Sequence, residues 1–122
     1  MNFKRLIQSF KDASRGIKYV YRHEQNFRLQ ILAGLTILIV SLILGIARSE
    51  FVVVLFLVFL VLGLELLNTV LEKFLDLLKP RLNYQVKILK DIMAAMVLLA
   101  SFASGVIGLV IFLPYLIELC LK

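Results

Sequence analysis

Residues 51–76 read FVVVLFLVFLVLGLELLNTVLEKFLD: an unbroken apolar run, 51–64, passes directly into Glu65, Asn68, Thr69, Glu72 and Asp76. At about 100° per residue of α-helix, Glu65, Asn68, Glu72 and Asp76 fall at about 0°, 300°, 340° and 20°, which is one narrow stripe. If the helix enters the membrane at Phe51, Glu65 lies ~21 Å along it, inside a ~30 Å hydrocarbon core, whereas Glu72 reaches the far edge. An ionisable group at that depth is costly and needs a partner, so the stripe points to chemistry rather than to a lipid-facing wall. The chain reads as a small membrane enzyme.

Two more apolar stretches flank this one. Residues 29–47 and 92–112 carry no charge, and with 51–71 they make three runs, each about 20 residues, enough to cross the bilayer as helix. A chain of 122 residues that is 61% hydrophobic could hardly hide its apolar surface in a water-soluble core of that size. The first run sits behind a long basic segment and lacks a small-residue cleavage pattern, so it is expected to remain in the mature protein.

The formal net charge of +6 reports topology rather than nucleic acid. Lys4, Arg5, Lys11, Arg15, Lys18, Arg22 and Arg28 precede the first span, and Lys73, Lys79, Arg81, Lys87 and Lys90 lie between the second and third. The loop between the first two spans has only Arg48 and Glu50, and the tail only Glu118 and Lys122. The positive-inside rule then puts the N-terminus and the loop between the second and third spans in the cytoplasm and the C-terminus outside, with anionic lipid as a partner of the basic segments. The single cysteine, Cys120, cannot form an intramolecular disulfide, and no Cys/His spacing suits zinc or an iron–sulfur cluster.

Residues 1–22 form a separate element. Phe3, Leu6, Ile7, Phe10, Ser14, Ile17 and Tyr21 share one helical face and Lys4, Lys11, Asp12, Arg15, Lys18 and Arg22 the other, the pattern of an amphipathic helix on the membrane surface. Gly16 would permit a bend or a close approach. Pro80 disfavours helix at Lys79 and makes residues 79–86 the turn into the third span. The expected fold is therefore an all-α membrane protein of one domain, 1–122, with a surface helix at 1–22 and spans at 29–47, 51–71 and 92–112.

Lys90 and Asp91 immediately precede the third span, at the same edge as Glu72 and Asp76, and Glu24 reaches that level from the junction of the surface helix and the first span. Carboxylates from separate helices could there be bridged by a hard cation with oxygen ligands, while Lys90 and the basic helix face phosphate. Each member also has a plainer reading. Glu72, Asp76, Lys90 and Asp91 suit solvated helix ends, Asn68 and Thr69 suit interhelical hydrogen bonding, and His23, with no second histidine to join it, suits the interface. Glu65 is the hardest to read as structural.

ExxNTxxExxxD (Glu65, Asn68, Thr69, Glu72, Asp76), followed by KDxxA (Lys90, Asp91, Ala94) and preceded by SFKDAxRGIKY (residues 9–19) and ExNFR (residues 24–28), resembles the prokaryotic integral-membrane diacylglycerol kinase family over nearly the whole chain. No soluble-kinase motif is present: there is no GxxxxGK[ST] loop and no HRD or DFG set. The resemblance implies ATP-dependent phosphorylation of a lipid hydroxyl at the inner leaflet by a homotrimer whose active sites are shared between subunits. By the same resemblance Glu65 is the general base, Asn68 helps hold it and the acceptor, and Glu24 and Glu72 bind the Mg²⁺ that bridges the nucleotide phosphates. Arg5, Asp12, Lys90 and Asp91 lie on the nucleotide, and Asp76 supports that end. Phosphoryl transfer needs such a set, because it depends on in-line positioning and charge neutralisation. Val70, Lys73, Asn83 and Met96 depart from the family pattern and bear on helix packing and the fit around the nucleotide base. The ExNFR form resembles the Gram-positive branch, which implies undecaprenol as acceptor ahead of diacylglycerol. Two readings from other classes stay open on the residues alone: a non-enzymatic membrane assembly protein, in which the stripe only packs helices, and a transporter, which is disfavoured because residues 92–112 offer a polar lane only Ser101 and Ser104.

Overall fold

The computed structural model describes residues 2–78 and 84–122; of the turn expected at 79–86, residues 79–83, Pro80 and Asn83 among them, lie outside these, whereas residues 84–86 are not turn but the first residues of a helix. Four helices follow in order, α1 (Phe3–His23), α2 (Gln25–Leu44), α3 (Arg48–Leu78) and α4 (Tyr84–Leu121), and no strand occurs among the described residues. The last three are long and apolar enough to cross a membrane.

α1 starts where the side chain of Asn2 accepts the Lys4 N–H at 3.0 Å, satisfying one of the free donors of the first turn. It ends at Glu24, the single extended residue between α1 and α2. There the Arg28 guanidinium donates to the carbonyls of Tyr21 and Arg22 at 2.7 and 3.1 Å, reaching back from α2 to cap α1. The helix runs unbroken through Gly16, and a Cβ there would meet open space, so neither the bend nor the close approach occurs within the chain. Phe3, Leu6, Ile7, Phe10, Ile17 and Tyr21 are all exposed, with only Val20 buried.

The first apolar run was expected to continue to Ala47, but its helix stops at Leu44. Gly45 adopts φ +64°, a left-handed conformation that glycine tolerates, and the N–H groups of Gly45 and Ile46 turn back onto Ser41 and Leu42 carbonyls. α3 begins after a tight corner fixed by side chains: Glu50 Oε1 accepts the Ala47 N–H at 3.0 Å and the Tyr115 hydroxyl, and the Tyr115 oxygen accepts the same Ala47 N–H at 3.2 Å. Glu50 thus reaches back to the residue before the helix in the manner of a capping box, and α4 is tied to the α2–α3 corner. Midway along its length α2 meets α3 closely, since a Cβ on the buried Gly34 would stand 2.8 Å from Val58 Cγ1. α2 and α4 both pack chiefly on α3, which is the centre of the molecule.

At 1.5 Å per residue, α3 is about 46 Å and α4 about 57 Å long, so both outrun the bilayer core and the expected spans 51–71 and 92–112. The surplus of α3 carries Glu72, Lys73 and Asp76 beyond the core on the side where α1 packs. The interior is unusual in kind. Its buried apolar side chains, such as Phe27, Val54, Met93 and Phe112, are accompanied by buried Ser41, Glu65, Asn68 and Thr69. Large apolar residues such as Phe56, Phe59, Phe102 and Val110 lie outside, as expected where lipid or a neighbouring chain provides the surroundings.

Candidate active site

α3 presents its polar stripe inward. Glu65 is 2% exposed and Thr69 4%, and Asn68 is also buried. The Thr69 hydroxyl donates to the Glu65 carbonyl at 3.0 Å, which hides it within its own helix and leaves Glu65 and Asn68 as the side chains able to act on something else. Gln30 on α2 supplies the one direct side-chain partner among the described residues: its Nε2 donates to Glu65 Oε2 at 3.4 Å. Two buried oxygens, Asn68 Oδ1 and Gln30 Oε1, have no hydrogen-bond partner among the described residues. A buried acceptor left unmade costs about 1–3 kcal/mol, so its persistence beside a buried carboxylate marks a place awaiting a donor.

Glu24, at the α1–α2 joint, and Glu72, two turns beyond Glu65, are half-buried and both interact with Glu65 through space. Neither is in an ion pair among the described residues. The donor set suits a small hard cation: Mg²⁺ keeps several waters and is held by one or two carboxylates together with substrate phosphates rather than by a full protein cage. The convergence of carboxylates expected from the sequence is not complete within one chain: no group of three or more metal-ligating side chains forms among the described residues.

The remaining residues separate into two groups. Lys90 Nζ meets Asp76 Oδ1 at 2.5 Å, joining α4 to α3, and Lys87 meets Asp91 at 3.0 Å along α4. Arg5 and Asp12 stay on α1. Asp12 pairs with Arg15 and accepts from Gln8 at 3.0 Å, and Arg5 lies about 28 Å along the helix from Glu24. Within one chain these two are not brought to Glu65.

Two features were missed in the sequence. Gln30 was absorbed into the apolar run 29–47, although a lone amide at membrane depth is itself a signal of a partner. Tyr19 and His23 stack with centroids 4.0 Å apart, His23 Nδ1 lies 2.7 Å from the Tyr19 carbonyl, and Lys73 Nζ lies 5.5 Å from the Tyr19 ring centre. Lys73, noted in the sequence for its charge and as a departure from the family pattern, thereby links α3 to α1.

Comparison with known proteins shows the family to which the chain belongs. The family described as prokaryotic diacylglycerol kinase matches residues 11–112. The undecaprenol kinase of Bacillus subtilis is 35% identical over 112 residues, 92% of this chain and 91% of that protein. The diacylglycerol kinase of Synechocystis sp. is 34% identical over 115 residues, 93% of this chain and 66% of that longer protein. The chain belongs to the prokaryotic diacylglycerol kinase family and is a membrane lipid kinase.

Proposed function

We propose that this chain transfers the γ-phosphoryl group of ATP to undecaprenol, giving undecaprenyl phosphate, at the inner face of a bacterial cytoplasmic membrane. The observation that carries the reaction type is the burial of Glu65 at membrane depth, tethered by Gln30 and neighboured by Glu24 and Glu72. Glu65 accepts the proton of the lipid hydroxyl as its oxygen attacks phosphorus, and Asn68, one turn on, holds the acceptor. Glu24 and Glu72 would hold Mg²⁺, which when bound neutralises charge on the nucleotide phosphates. Lys90 and Asp91 take the nucleotide at the membrane edge, with Asp76 fixing Lys90, and Arg5 and Asp12 reach it from the α1 of a neighbouring chain.

Undecaprenol is favoured by the Bacillus subtilis relative, which matches over almost its whole length, and by the ExNFR form of residues 24–28. Diacylglycerol is the second reading, favoured by the Synechocystis relative. The unit is one domain, 1–122, with the N-terminus and the charged end of α3 in the cytoplasm. α1 lies on the membrane with its exposed apolar face in the interface, and three chains assemble into a homotrimer with shared sites.

Transfer from radiolabelled ATP and Mg²⁺ to undecaprenol and to diacylglycerol in mixed micelles tests the reading. Wild type is expected to label undecaprenol more strongly. Glu65→Gln is expected to lose about 10²–10⁴-fold in turnover, the usual contribution of a general base, while the oligomer keeps its size. Equal labelling of neither lipid by folded wild type refutes the kinase, and stronger labelling of diacylglycerol replaces the acceptor.

A further inference from the structure

α1 is held near its end, where Arg28 reaches back from α2 to the carbonyls of Tyr21 and Arg22. It is held again at Tyr19. That ring stacks on His23 with centroids 4.0 Å apart and planes 24° apart, and Lys73 Nζ comes to it from α3 at 5.5 Å. Tyr19 lies about 7.5 Å along the helix from Glu24. A rod clamped only at its end still swings there, and Glu24, a single extended residue between two helices, supplies two soft backbone angles for the motion. A hold farther along the rod fixes its direction.

What adjoins this second hold gives its chemistry a meaning. Lys73 follows Glu72 on α3, and its charge acts through space on Glu24 and Asp76. Yet Lys73 is in no ion pair among the described residues. Lys90 and Lys87 have Asp76 and Asp91 as partners, whereas Lys73 rests on an aromatic ring. An ion pair with Glu24 would also join α1 to α3, but it would occupy that carboxylate and neutralise it. A π face attracts an ammonium without taking a carboxylate oxygen, so Glu24 and Glu72 keep their charge and their lone pairs for a cation.

We propose that Lys73 is a positioning residue: its ammonium, seated on the Tyr19 ring, pins α1 against α3 and so sets the spacing of Glu24 and Glu72 while leaving both carboxylates open. This rests on the reading of Glu24 and Glu72 as the holders of Mg²⁺ and adds what keeps the two at their distance. Lys73 itself touches neither the metal nor the phosphates.

Nitroxides on Ser14→Cys and Leu77→Cys in a Cys120→Ser background, with labelled subunits diluted in unlabelled protein, report the α1–α3 separation by pulsed EPR. Lys73→Met is expected to broaden that distance distribution, and Lys73→Arg, which keeps a cation for the ring, to restore it. In the unlabelled proteins with a non-hydrolysable ATP analogue, the Kd for Mn²⁺, a cation of the same oxygen-ligand class, should rise about two- to fivefold in Lys73→Met, the size of one exposed cation–π contact. The Mg²⁺ concentration for half-maximal transfer should rise by the same factor, with KM for the lipid and particle size unchanged. Tyr19→Leu should behave as Lys73→Met does, and the double variant should be no worse than either. A distance distribution and Mn²⁺ affinity in Lys73→Met equal to those of wild type overturn the pin. An unchanged distribution with a raised KM for ATP at saturating Mg²⁺ overturns it in favour of direct contact with phosphate. Glu24→Gln and Glu72→Gln proteins that bind Mn²⁺ as tightly as wild type defeat the metal reading itself, and the pin with it, whatever Lys73→Met shows.

Discussion

Lys90 and Asp76 meet at the charged end of the α3–α4 pair, with about a third and a half of their side chains exposed. Such a pair adds little to stability, roughly 0.2–1 kcal/mol, so its worth lies in where it holds the ammonium. Asp76→Asn is therefore expected to leave the thermal midpoint in detergent nearly unchanged while raising KM for ATP several-fold. Lys90→Met should raise it further, and equal effects on lipid and nucleotide KM would contradict the assignment. At this scale the sequence was informative where depth constrains a residue. Glu65 stood out because nothing about a lipid-facing helix explains a carboxylate in mid-membrane, and the structure does bury it. Gln30 stayed hidden because an uncharged amide does not interrupt an apolar run, and its meaning comes from a contact thirty-five positions away. The pairing of Asp91 with Lys87 rather than with another helix is likewise a matter of side-chain geometry that spacing alone does not decide.

Among the elements, α2 and α3 are held at the distance that Gly34 permits. Val58 has no freedom to retreat, since its β-branched side chain is stiff about χ1, so Gly34→Ala is expected to cost about 1–3 kcal/mol by overpacking. Removing the obstacle in Val58→Ala should restore part of that loss in the double variant, as thermal unfolding in detergent would show; additive losses would mean that the two residues do not touch. The helices themselves were legible from length and apolarity, yet their ends were not. Leu44 ends α2 three residues before the apolar run does, because the chain turns at a left-handed Gly45. α3 and α4 run past the bilayer because charged residues continue a helix as readily as apolar ones. The corner built from Ala47, Glu50 and Tyr115 joins residues sixty-five or more apart, and nothing in local sequence announces it.

For the whole molecule, the placement of Arg5 is decisive. It sits near the free end of α1, about 28 Å along the helix from Glu24, too far to serve the Glu65 of its own chain. If Arg5 acts on the nucleotide, it serves a neighbouring subunit. Mixing Arg5→Ala with Glu65→Gln subunits, each inactive alone, should then restore activity at up to about a quarter of the sites in a symmetric assembly, measured as labelled lipid after co-reconstitution. No recovery would mean that each subunit works alone. The membrane class and its three spans were readable from the chain because a bilayer imposes length and apolarity on anything that crosses it. The assembly was not, because the lipid-facing and subunit-facing sides of a membrane helix are chemically alike.

The joint at Glu24 has a mechanical meaning as well. One extended residue links α1 to α2, and Arg28 braces it by holding the last carbonyls of α1. α2 and α1 would therefore act as the two limbs of a bent lever. A bilayer of different thickness retilts a spanning helix, and a tilt of about 10° at the short pivot would swing the far end of an arm of this length by about 5 Å. Membrane thickness would then reach the cytoplasmic chemistry without any regulatory ligand, through the angle of one hinge.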